Sequence, residues 1–79
     1  QLTTSINVRS KEEVLNNKMV LEEIKNAEKT IKNMGRIMVR ASGTEPKIRI
    51  MVEADTMELC KELTEKIVSK IRSEGLIDE

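Results

Sequence analysis

The residues Arg40-Ala41-Ser42-Gly43-Thr44-Glu45-Pro46-Lys47-Ile48-Arg49 gather more hydrogen-bond donors than any other stretch of the chain. On the left, the apolar residues Ile37, Val39 and Ala41 share one parity; on the right, Ile48, Ile50, Val52 and Ala54 share another. That alternation reads as two strands, Arg36 to Ala41 and Lys47 to Ala54, joined through the five residues Ser42 to Pro46. The same parity puts Arg40 and Arg49 together on the non-apolar face, at the two feet of one loop. Their guanidiniums are forked donors matched to phosphate oxygens. The loop adds two hydroxyls, Ser42 and Thr44, around a glycine. Gly43 has the conformational freedom to turn consecutive N–H groups into one concavity, an anion nest. The chemistry expected of such a set is binding of a phosphate ester. Ser-Gly-Thr-Glu-Pro is also ordinary turn composition, so spacing alone leaves a plain turn open. Glu45 is the discordant member, and pairing with Lys47 or with a partner domain would turn its carboxylate aside.

Other chemistry-bearing residues point to structure. Cys60 falls on an apolar helix stripe beside Leu63 and reads as a buried thiol. Glu12-Glu13 and Glu22-Glu23 read as solvated helix charge and do not form the clustered oxygens that a metal needs. Ser42 has no base partner with which to act as a nucleophile, because the chain has no His. Met38 and Met51 lie on the polar parity, fit either for exposure or for packing against another domain.

Composition narrows the function classes. The 79 residues are 38% apolar and 35% charged, with 14 basic and 14 acidic side chains, one Cys and no aromatic residue. Zero net charge disfavours a duplex-DNA binder, and the lack of aromatics disfavours a stacking platform for single strands. One Cys and no His exclude structural zinc, His-based acid–base catalysis and an internal disulfide. The longest apolar runs are three residues, whereas a membrane span needs roughly 20. A Gln at position 1 and the absence of a signal peptide suggest a single domain, residues 1–79, cut from a longer cytoplasmic chain.

The elements that position the hairpin are legible as patterns. Leu2, Thr4, Ile6 and Val8 alternate as a half-buried strand. Ser10-Lys11-Glu12-Glu13 has capping-box form, and Asn16-Asn17 breaks or restarts the chain. Val20, Ile24, Ala27, Ile31 and Met34 form a stripe predicting a helix from about Lys18 to Asn33, ended by a left-handed Gly35. Asp55-Thr56-Met57-Glu58 caps a second helix, whose inner face is Leu59, Cys60, Leu63, Ile67, Val68 and Ile71, with Gly75 at its end. The predicted fold is α+β, in the order strand-helix-strand-strand-helix. Its antiparallel sheet has three to four strands, with two helices on one face.

The run from Arg40 to Arg49, continued by Ile50-Met51-Val52-Glu53-Ala54, resembles the C-terminal domain of the α-D-phosphohexomutases through the pattern R-x-S-G-T-E-P-x-x-R. The similarity extends over nearly the whole chain and is greatest to the bacterial phosphoglucosamine-mutase branch. It implies a TATA-binding-protein-like fold with a four-stranded sheet, and a four-domain cytoplasmic enzyme that interconverts glucosamine 6-phosphate and glucosamine 1-phosphate for cell-wall precursors. It further implies a phosphoserine in the first domain and Mg2+ held by an Asp-rich loop in the third, both outside this chain. The last domain would grip the phosphate that is not reacting, a role the resemblance gives to Arg40, Ser42, Gly43 through its backbone, Thr44 and Arg49. The chain matches neither the phosphoserine motif nor the metal loop, so it is expected to be catalytically inactive alone, with phosphosugar and the other domains as its partners. The alternatives are the same domain of a phosphomannomutase or phosphoglucomutase, and a non-catalytic protein-interaction module. Nucleic acid and membrane are not expected partners.

Overall fold

The computed structural model describes residues 1–78. Three strands, β1 (Leu2–Asn7), β2 (Arg36–Ala41) and β3 (Lys47–Glu53), form one antiparallel sheet in the order β1-β3-β2. The central strand is therefore the last in sequence. Its inward residues Ile48, Ile50 and Val52 are fully buried, as expected where both strand edges are paired and one face is covered.

The helices α1 (Lys11–Asn16), α2 (Lys18–Ile31) and α3 (Met57–Ser73) cover that face. Each start has a side-chain cap, which satisfies an amide that the first helical turn leaves without a partner. Ser10 Oγ accepts from the Glu13 N–H at 3.3 Å, Asn17 Oδ1 from Val20 at 3.0 Å, and Thr56 Oγ1 from Leu59 at 3.1 Å. Asn17 ends α1 and opens α2, so the Asn pair does restart the chain. The core draws Val20, Ala27 and Ile31 from α2, and Cys60, Leu63, Ile67 and Ile71 from α3. Val8, Val14 of α1, Ile37 of β2 and Leu76 complete it.

The end of α2 departs from expectation. The helix stops at Ile31 and passes into a 3-10 turn, Lys32–Met34. The positive φ falls on Lys32, at 56°, while Gly35 is extended at 177°. Glycine is required at 35 for space: a Cβ there would lie 1.9 Å from the Glu53 carbonyl oxygen. The 3-10 turn also breaks the stripe's phase, leaving Met34 exposed instead of inward. At the end of α3, Gly75 takes the left-handed conformation, φ 73°. Its N–H donates to the Arg72 carbonyl at 2.9 Å, and the Leu76 N–H donates to Ile71 at 3.2 Å. This Schellman closure carries the buried Leu76 into the core.

A fourth strand is reduced to one antiparallel bridge, Val8 with Ile77. The Arg9 N–H donates to Leu76 at 2.9 Å and the Asp78 N–H to Asn7 at 3.0 Å, extending the β1 edge.

Candidate functional site

The sheet face away from the helices carries cross-strand rows set by the register. Arg40 lies opposite Arg49, which lies opposite Ser5; Met38 lies opposite Met51, which lies opposite Thr3. Arg40 and Arg49 are exposed and Met38 and Met51 half-buried. Thr3, the two methionines and the two arginines line one surface depression of about 290 Å³. Its floor is apolar and its end toward the hairpin is cationic.

The charges of this face are unevenly matched. At its far end Arg36 meets its cross-strand partner Glu53, with Nε to Oε1 3.8 Å. Lys47 meets Glu45 at 3.2 Å, which accounts for the discordant carboxylate. Among the described residues, Arg40 and Arg49 have no such counter-charge. Like charges directly opposite on neighbouring strands repel, at a cost of the order of 0.2–1 kcal/mol. An anion seated between them removes that cost and collects forked hydrogen bonds.

The loop Ser42–Pro46 is built from its own polar groups. The Ser42 N–H donates to the Lys47 carbonyl at 3.0 Å and closes the hairpin. Ser42 Oγ donates to the Glu45 carbonyl at 3.1 Å, so its proton is engaged inside the turn. The Val8 N–H holds the Pro46 carbonyl at 2.8 Å, tying the loop to the end of β1. Thr44 is exposed at the tip. Gly43 does not take the left-handed angles of the expected nest, since the positive-φ residues of the described chain are Lys32 and Gly75.

Lys11 is the residue that sequence reasoning missed. From the first turn of α1 its Nζ donates to the carbonyls of Ser42 at 3.0 Å and Gly43 at 2.9 Å. The 31 residues separating it from Ser42 deny any spacing signal. Cys60 is buried and unpaired, as expected. No three His, Cys, Asp or Glu side chains come together as a metal cage among the described residues. No helix is long and apolar enough to cross a membrane among them.

The chain is thus an α+β domain that presents a donor-rich β-hairpin on the uncovered face of its antiparallel sheet. Residues 6–70 match the family described as phosphoglucomutase/phosphomannomutase, C-terminal domain, and the chain belongs to that family. It is 43% identical over 74 residues to a phosphoglucosamine mutase of Shouchella clausii, 46% over 74 residues to one of Bacillus subtilis, and 42% over 78 residues to one of Exiguobacterium sp.. These alignments take in 94%, 94% and 99% of this chain but 17%, 16% and 17% of the respective relatives. The chain thus spans about one sixth of the length of the relatives it matches.

Proposed function

We propose that this chain is the phosphate-gripping terminal domain of a cytoplasmic phosphoglucosamine mutase, and that it holds the sugar phosphate that is not reacting. The observation that carries this reading is the Arg40–Arg49 pair, opposed across two strands with no carboxylate partner among the described residues. Arg40 and Arg49 supply forked charged donors. Gly43 supplies backbone N–H, and Thr44 supplies a hydroxyl at the rim. Ser42 shapes the turn and offers its remaining lone pair and backbone to the site's edge.

The proposed division of labour follows from where binding energy is useful. A mutase that turns its substrate over must retain an intermediate while each end in turn meets the reacting centre. A grip on the remote phosphate orients the reacting end and keeps the intermediate from leaving. Mg2+ in the parent enzyme would supply charge stabilisation at the transferred phosphoryl group. No three His, Cys, Asp or Glu side chains form a cage for it among the described residues; on this reading its ligands lie in another domain, and no step here runs through it. The fragment alone binds and does not catalyse.

The relatives' names favour glucosamine phosphates over mannose or glucose phosphates. The hairpin reads the phosphate common to all three, and sugar choice then lies with other domains. The test is a titration of the 15N-labelled chain with inorganic phosphate and with glucosamine 6-phosphate. Backbone shifts confined to Arg40 through Arg49, similar for both ligands and lost in Arg49→Ala, are the expected result. A millimolar Kd, about −4 kcal/mol, suits a few exposed donors. An unperturbed hairpin at high millimolar phosphate overturns the reading.

A further inference from the structure

Two consecutive carbonyls of the hairpin loop, Ser42 and Gly43, accept from one ammonium, Lys11 Nζ, at 3.0 and 2.9 Å. Every peptide bond of the described chain is trans. In a trans peptide the C=O and the following N–H point in opposite directions. Fixing the Ser42 carbonyl therefore fixes the Gly43 N–H, and fixing the Gly43 carbonyl fixes the Thr44 N–H. With both carbonyls drawn to Lys11, both amides are turned to the side away from it. Neither amide donates a hydrogen bond among the described residues.

We infer that Lys11 is a positioning residue that aims the Gly43 and Thr44 amides at the anion; this rests on the phosphate-grip reading above. A nest normally aligns successive amides through a residue with positive φ. Gly43 lacks that conformation, so the alignment is imposed from behind by a side chain. Lys suits the task because it carries three donors on one atom, enough for two carbonyls at once. The short helix α1 then has a use beyond its small contribution to the core. Ser10 caps it, which fixes the place from which Lys11 reaches across to the loop. A loop tied in this way loses less freedom on binding than an untethered one, and that raises affinity without any new contact to the ligand.

The test uses the 15N-labelled chain and inorganic phosphate, with Lys11→Met and Lys11→Arg. Lys11→Met keeps most of the stem and removes the donors; Lys11→Arg keeps charge and donors. In the ligand-free state, Lys11→Met is expected to lower the order parameters of Gly43 and Thr44 from about 0.85 to below about 0.6, with the helices and core strands unchanged. Phosphate binding should weaken about tenfold, the loss of one charged hydrogen-bonding group, and Lys11→Arg should recover most of it. Unchanged Gly43 and Thr44 order in Lys11→Met overturns the inference whatever phosphate does. If that order is unchanged while Arg49→Ala still abolishes binding, the phosphate grip stands and only the Lys11 role is lost. If the unmodified chain ignores phosphate, the grip itself falls. A weakened affinity with intact loop order would reduce Lys11 to a distant charge, and that too overturns the positioning role.

Discussion

Arg40 and Arg49 stand directly opposite each other on the two central-hairpin strands, on the face that no helix covers. In the free chain this arrangement is unfavourable, and in an anion complex it is favourable. Arg40→Glu should separate these two effects. It places a carboxylate across from Arg49, a change of sign in a pair energy of about 0.2–1 kcal/mol. We expect the variant to be slightly more stable to urea than the parent chain, and to lose its response to phosphate. A variant that is less stable, or that still responds, would mean the opposed pair is not held together for an anion.

Two glycines, Gly35 and Gly43, flank β2 and should behave in opposite ways. A Cβ at Gly35 would lie 1.9 Å from the Glu53 carbonyl oxygen and 2.9 Å from Cγ2 of Ile31, so Gly35→Ala must push backbone from backbone. We expect more than about 2 kcal/mol of destabilisation, the scale of a badly overpacked core site. A Cβ at Gly43 meets nothing within 4 Å, so Gly43→Ala should leave the melting temperature within error of the parent. Its cost should appear only with ligand, where a backbone that must approach an anion closely has no room for a methyl group. Equal thermal melts for the two variants would refute the steric account.

Lys32 carries strain that a designer would remove. Its φ of 56° and ψ of −125° suit glycine and cost a side chain of the order of 1 kcal/mol. Lys32 is exposed, so nothing in the core is lost with it. Lys32→Gly should stabilise the chain by about 1 kcal/mol, read as a higher urea midpoint at unchanged denaturant slope. A lower midpoint would show that unfolded-state entropy outweighs the relieved strain.

The hairpin was legible because three independent patterns agree there: strand parity in Ile37-Val39 and Ile48-Ile50-Val52, a five-residue turn, and arginines at matching feet. The caps at Ser10 and Thr56 were legible because they act within three residues of themselves, whereas Asn17 was legible only as a break or restart of the chain. Gly35 was misread because two needs look alike in sequence: a left-handed helix end and a close approach to a distant strand both select glycine. Only the Glu53 carbonyl, 18 residues on, decides between them. Lys11 left no trace for a related reason. It sits in a charged capping sequence whose local reading is complete, and its contact is made to backbone carbonyls, which carry no residue identity. The bridge between Val8 and Ile77 left the strand count open at three to four, because two residues are too few to alternate.

Thr64 is the one buried polar residue of the described chain, 5% exposed on the inner face of α3, and its Oγ1 has no hydrogen-bond partner. Its immediate surroundings on the helix, Cys60, Leu63 and Ile67, are buried apolar groups. An unmatched hydroxyl there has given up water without replacement, which costs about 1–3 kcal/mol. Valine has nearly the same shape, and its helix propensity is close to that of threonine. Thr64→Val should therefore stabilise the chain by about 1 kcal/mol, read as a higher urea midpoint at unchanged slope. It should leave the phosphate response of the Arg40–Arg49 hairpin untouched, because α3 packs on the opposite face of the sheet. Destabilisation would mean that the hydroxyl has a partner in solution, such as a buried water. A changed phosphate response would mean that the two faces are coupled through β3.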